Sequence, residues 1–477
     1  MPKKLPPKLA IAGAATLALL GTTYVATQAQ TQSKPAASSA VATAPLELTE
    51  RDKDLLLSAL EPRLFQPNDV RDDLRAQWTK AYIPPAIEMY HFVPDRQVRR
   101  AILEMLVEST GQDFGDNMND WFRWLWNNPE LKIKGYGDFK SEFYRQIDPK
   151  FGKYFLGRQD NAQIRLDEIR WGGVVQDGIP PLRQPDMISA KQAKYLEDDN
   201  IVFGIEVNGD VRAYPKRILA WHEMFVDTVG GVDFAGVYCT LCGTVILYET
   251  DAKGISHEMG TSGFLYRSNK LMYDKQTQSL WNTIKGEPVV GPLVGKDIAL
   301  DHRSVVTTTW GKWKKLHPDT KVLSLKTGHR RDYGEGVAYH QYFATDNLMF
   351  HTPFSDYRLK NKTEILALRF KGQAQAPVAI STDFLKKTPV YSGKIGTQKY
   401  VVLTDETGAN RVYDPEDVTF SQFDGNSRAK DLSGRSWKVA ESKLTGPDGR
   451  ELKRLPYHRA FWFGWHATYP NTKLIKE

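Results

Sequence analysis

Two cysteines, Cys239 and Cys242, are the only sulfur nucleophiles in 477 residues, and they stand three apart in the run Tyr238-Cys-Thr-Leu-Cys-Gly-Thr244. A C-x-x-C at the end of an apolar strand, closed by a glycine, turns both sulfurs to one side of a tight loop. Seventeen residues upstream of Cys239 lies His222, in Ala220-Trp-His-Glu-Met-Phe225. Thiolates are soft ligands and imidazole is borderline, so His222, Cys239 and Cys242 together suit Cu or Zn better than Mg or Ca. A fourth ligand would be water, His257, Met259 or His317, none singled out by spacing. Two other chemistries use the same residues. A C-x-x-C is also the arrangement of thiol–disulfide exchange, although β-type sequence follows it here where the redox fold has a helix. A structural disulfide, in a non-enzymatic envelope binding module, is the third reading, available to any exported protein.

Several motifs are absent or incomplete. His222-Glu223 and His257-Glu258 have no second histidine at metalloprotease spacing, Ser262 lacks nucleophile-elbow spacing and reads as a turn residue, and there is no Walker loop or dinucleotide fingerprint. The charged, glycine-rich segment Gly328-His-Arg-Arg-Asp-Tyr-Gly-Glu-Gly336 reads as a solvated loop.

The elements that must position the three residues follow from patterning. Residues 1–29 carry Lys3, Lys4 and Lys8, then an apolar run from Leu9 and small residues ending at Ala29, the plan of a secretory signal peptide. The export destination is periplasmic or extracellular. An uncleaved anchor is the rival, weakened because the 18 residues Leu9–Ala26 include Thr22, Thr23 and Tyr24. Residues 30–46 are rich in Ala, Ser, Pro and Gln and read as a flexible linker. The formal charge of +7 falls to +4 once the three leader lysines are set aside. That residue, with no basic run carrying interleaved aromatics, argues against nucleic acid as a partner. No membrane span is expected after the leader.

Residues 47–165 have helical periodicity. Asp95 is placed to cap a helix whose Val98, Ile102, Met105 and Leu106 share a face and which Gly111 stops; Trp121, Trp124 and Leu125 mark another. This helical part is a candidate surface for a protein partner. Beyond it the chain changes to short β-type runs, with Asn208-Gly209 after Ile201–Val207 as a hairpin signal. The fold class is therefore α+β: a small α-helical amino-terminal domain, then a mainly antiparallel β region.

The β region is duplicated, as 166–330 and 331–477. Trp310-Gly-Lys-Trp313 with His317-Pro-Asp-Thr-Lys321 recurs as Trp462-Phe-Gly-Trp465 with Tyr469-Pro-Asn-Thr-Lys473, and Trp281 recurs as Trp437. Laying Val237–Tyr248 without gaps on Val402–Tyr413 sets Cys239 against Thr404 and Cys242 against Thr407, and His222 falls near Thr388. Scaffold residues recur while His222, Cys239 and Cys242 do not, which makes the second copy a degenerate structural partner and those three the candidates for chemistry.

The runs Arg212-Ala-Tyr-Pro-Lys-Arg-Ile-Leu-Ala-Trp-His-Glu-Met224, Tyr238–Thr244, Gly260–Asp274 and Gln278-Ser-Leu-Trp281 resemble domain of unknown function 3179, a family of largely exported bacterial and archaeal proteins. The resemblance covers about Trp171 to the carboxyl terminus, with the helical part as the extension of one subfamily. It implies that His222, Cys239 and Cys242 match the family's hallmark positions, and it implies no particular reaction.

Overall fold

The computed structural model describes residues 46–61 and 64–477. The expected leader, 1–29, and all of the expected linker but its last residue lie outside them. The described residues form one compact unit.

The helical part begins as its caps dictate. Asp95 accepts from the backbone N–H groups of Gln97 and Val98 at 2.9 and 3.0 Å, starting the helix Arg96–Thr110, and Gly111 ends it in the left-handed conformation. Val98, Ile102, Met105 and Leu106 are buried. Met118–Trp126 is the second expected helix, with Trp121 and Leu125 inside. These helices share one core with strands of the first β copy, through Ile169, Phe264, Tyr273 and Val290. A buried Lys140–Glu88 ion pair helps to fasten the joint, and Lys140 Nζ also donates to the carbonyl of Ile169 at 2.8 Å.

The β region is mainly antiparallel, and the same substructure occurs in it twice. In the first copy Val306–Thr309 pairs antiparallel with Ile201–Val207, which pairs antiparallel with Asp210–Pro215, which pairs parallel with Lys321–Leu323. In the second, His458–Phe461, Glu364–Leu368, Val378–Ser381 and Lys473–Ile475 follow the same order with the same polarities. Asn208 and Gly209 both have positive φ, the tight hairpin turn expected of that dipeptide. The repeated tryptophans make repeated bonds. Trp313 Nε1 donates to Thr320 Oγ1 at 3.0 Å and Trp465 Nε1 to Thr472 Oγ1 at 2.9 Å. Trp281 and Trp437 donate at 3.0 Å to Asp274 and Asp431. A buried indole N–H left without a partner costs free energy, so the acceptor recurs with the ring.

The copies interlock. The first-copy hairpin of Val232–Cys239 and Thr244–Glu249 meets the second copy's sheet through Val245 opposite Arg459. Reciprocally, the second-copy hairpin of Gln398–Thr404 and Asn410–Tyr413 reaches the first copy at Thr407, 3.2 Å from Thr308 between hydroxyl oxygens, and at Glu406, which pairs with Lys312 at 2.6 Å. Ser262 departs from expectation. It lies buried within the strand Met259–Tyr266 beside a register shift, where its hydroxyl donates to Leu271 O and accepts from Phe264 N, so it steadies a β-bulge and forms no turn. Among the described residues no helix is long and apolar enough to cross a membrane.

Candidate functional site

The helix Lys216–His222 ends at Glu223, a non-glycine residue in the left-handed conformation at φ 54°. That reversal launches Met224–Val229, and the Gly230-Gly231 turn returns the chain as Val232–Cys239. Cys239 is the last residue of its strand and pairs with Thr244 across the hairpin. Four residues bridge the tip, with Gly243 at positive φ, and the Cα atoms of Cys239 and Cys242 come to 5.5 Å. That separation is within disulfide reach, and the two sulfurs are bonded.

The disulfide is enclosed. Both cysteines are buried in an apolar cluster with Leu241, Leu265, Tyr342, Phe461 and Phe463. Phe461 N donates to Cys242 O at 2.8 Å and the Tyr342 hydroxyl donates to Leu241 O at 2.6 Å. Phe461 and Phe463 come from the second copy; Tyr342 comes from residues 331–363, expected as part of that copy but preceding its first repeated strand, Glu364–Leu368, and joining the two. A Cβ on Gly464 would stand 2.9 Å from the Cβ of Cys242, so a residue without a side chain is required there.

A charged pair adjoins Tyr238, the residue before Cys239. Glu223 O accepts from the N–H of Tyr238, next to Cys239, and from Lys270 Nζ at 2.6 Å. Lys270 also faces the Glu223 carboxylate at 3.5 Å, and the Tyr339 hydroxyl donates to that carboxylate at 3.3 Å. Burial pushes the Lys270 ammonium down, opposed by Glu223. The Glu223 charge, with burial, drives the Tyr339 phenol up. Asn269, beside Lys270, donates to Gly464 O at 3.1 Å, which joins this group to the wall behind Cys242. Thr240, between the cysteines, is buried with its hydroxyl unpartnered.

His222 is buried, but both its ring nitrogens are engaged elsewhere. Nδ1 lies 2.9 Å from the carbonyl of Pro180, which only accepts, so the proton sits on Nδ1. Nε2 therefore accepts from the Tyr333 hydroxyl at 2.6 Å. Burial holds the imidazole down at about 4. Of the three expected ligands the structure joins Cys239 to Cys242 and gives His222 to Pro180 and Tyr333, so as they stand they do not form a ready ligand set. Among the described residues no group of three His, Cys, Asp or Glu side chains is arranged to hold a metal ion. His257 meets Trp281 edge to face, Met259 lies in a separate core, and His317 faces Glu441 at 3.4 Å.

Sequence reading missed Lys270, Glu223, Tyr339 and Tyr342. The bonds their side chains make span 47 to 116 residues and no local pattern announces them. It also took 328–336 for a solvated loop, although Tyr333 reaches His222 and Asp332 O accepts from the Trp221 indole at 2.7 Å. The gapless superposition holds as far as Cys239 and Thr404. Past that point the second tip is one residue longer, since Thr404 pairs with Asn410 where Cys239 pairs with Thr244.

An apolar-walled C-x-x-C loop on a duplicated β frame defines the class of this domain. The family model described as "Protein of unknown function (DUF3179)" matches residues 176–472, and the chain belongs to that family. No curated protein and no solved structure matches the chain.

Proposed function

We propose that this is an exported thiol–disulfide redox protein whose working pair is Cys239 and Cys242. The observation that carries the reading is the second copy's solution to the same turn. There Asp405 closes the tip without a covalent bond, its carboxylate accepting from Thr407 N at 2.9 Å and Ala409 N at 3.0 Å. The frame therefore closes the corresponding hairpin, whose tip is one residue longer, without sulfur. A loop as short as Cys239–Cys242 also gains at most about 2 kcal/mol from closure in the chain-entropy account, a small structural return. The metal reading requires more rearrangement, since the sulfurs must be reduced and His222 must leave Tyr333.

The chemistry balances with a dithiol donor. A donor thiolate attacks one sulfur of the pair, forming a mixed disulfide while the other cysteine leaves as a thiolate and takes a proton. The donor's second thiolate then attacks the mixed disulfide. Two electrons have passed to the pair, both cysteines end as thiols, and the donor ends as a disulfide. Lys270, linked through the Glu223 carbonyl to the residue before Cys239, is the cation proposed to favour the departing thiolate. The donor is proposed to be a protein, with the helical region as its docking surface.

The test is equilibration of the full chain in glutathione and dithiothreitol buffers, followed by alkylation and mass measurement. A reversible two-electron transition above roughly −300 mV is expected; a pair that stays oxidised below that value is structural and overturns the reading. Zinc or copper uptake by the reduced chain, lost in His222→Ala, would replace it with the metal reading.

A further inference from the structure

A second polar site lies where the two copies meet, away from the disulfide. Arg369 stands just past the strand Glu364–Leu368 and lines a cavity of about 400 Å³ with His302, Lys371, Phe370, Ile395 and Tyr469. Lys371 is paired with Asp301 at 3.1 Å. Arg369 has no such partner: among the described residues no carboxylate pairs with it, its one hydrogen bond is from Nη2 to the Tyr248 hydroxyl at 3.3 Å, and its Nε is shut from solvent with nothing to donate to. Two more nitrogens nearby share that condition. His302 Nε2 and His458 Nε2 are buried without partners, and their rings lie 6.3 Å apart. Both imidazoles are held neutral by burial and by the charge of Arg369.

Arg369 is half-buried, and its occluded Nε has given up water without gaining a partner, so the guanidinium is under-satisfied on the cavity side. Glu287 and Asp301 also line the cavity, but a cation bound between the histidines would face the guanidinium, which favours an anion at Arg369. One planar fork with a single neighbouring imidazole matches a carboxylate, and Phe370 and Ile395 provide an apolar wall for a carbon body. We propose that this cavity binds a small organic carboxylate, with its carboxylate on Arg369 and a second hydrogen bond at His302.

The test is isothermal titration of acetate, lactate, succinate, benzoate and inorganic phosphate into the full chain and into Arg369→Gln and His302→Gln. At least one organic carboxylate should bind saturably to the parent chain, with affinity falling at least about tenfold in Arg369→Gln, the worth of one charge-assisted bond. Removing an uncompensated cation should leave the ligand-free melting temperature of Arg369→Gln at or above the parent's. If that variant does not fold, Arg369→Lys, which keeps the charge and loses the fork, should show the same loss of affinity. The proposal is overturned if no organic carboxylate binds, if phosphate alone binds, or if the Arg369 variant that folds binds as the parent does.

Discussion

Single side chains decide whether the C-x-x-C can sit where it does. Gly464 leaves room for Cys242, and Gly464→Ala should cost ~1–3 kcal/mol, because two Cβ atoms cannot share a 2.9 Å gap without moving the hairpin or the helix Trp462–Thr468. Denaturant unfolding of the variant beside the parent measures this. His458 makes a pH prediction. Burial holds its imidazole down to about 3, so the native state stays unprotonated well below the pH at which the unfolded chain takes up a proton. Stability is therefore lost as pH falls from about 6.5, and the loss levels off near the native value. Between pH 7 and pH 4.5 this one residue should remove about 2–3 kcal/mol, a share that disappears in His458→Gln. Unfolding curves at the two pH values, for both proteins, check it. His222, Cys239 and Cys242 were legible as candidates because a frame repeated within one chain separates shared scaffold from unshared residues. Their partners were not, since a buried lysine and a left-handed glutamate leave no local signature.

Elements repeat more faithfully than residues. The helices Trp310–Leu316 and Trp462–Thr468 each anchor a tryptophan on a threonine seven residues on, and that threonine bonds back to Val211 O within the strand Asp210–Pro215 in one copy and to Pro377 O just before the strand Val378–Ser381 in the other. Trp313→Phe and Trp465→Phe should therefore destabilise the chain alike, by ~1–3 kcal/mol each, with near-additive effects in the double variant if the anchors are independent. Thermal or denaturant unfolding of the three variants decides this. The segment joining the copies is the element that distinguishes the disulfide's surroundings. Its Tyr342 hydroxyl binds the Leu241 carbonyl at the hairpin tip. Tyr342→Phe loses that bond, worth ~1 kcal/mol, and should quicken reduction of the disulfide by dithiothreitol about fivefold. An unchanged rate would mean that reductant reaches the sulfurs by another route. The helix caps, the Asn208-Gly209 turn and the repeated tryptophans were readable because each depends on residues within a few positions of one another. The extra residue in the second copy's tip was not, because a loop between matching strands constrains its own length only weakly.

At the scale of the molecule, the copies depend on one another. The first copy's hairpin is paired at Val245 by the second copy's Arg459, and Phe461, Phe463 and Gly464 form the far wall of its disulfide. A chain limited to residues 166–330 would expose that strand edge and the apolar hairpin tip. It should fail to give a monomeric folded species by circular dichroism and size exclusion, whereas residues 46–477 together should. The amino-acid sequence by itself determined the α+β class, the repeat, the turns and caps, and the three residues that break the repeat, because all of these are set by local spacing and by comparison of one half with the other. Only the tertiary structure decided that the two sulfurs are joined, that His222 spends both nitrogens on Pro180 and Tyr333, and that Lys270 and Glu223 are linked to the residue before Cys239. It also set Arg369 in a cavity without a counter-ion. Those outcomes depend on which distant groups desolvate one another when the two copies close together, and no periodicity along the chain records that.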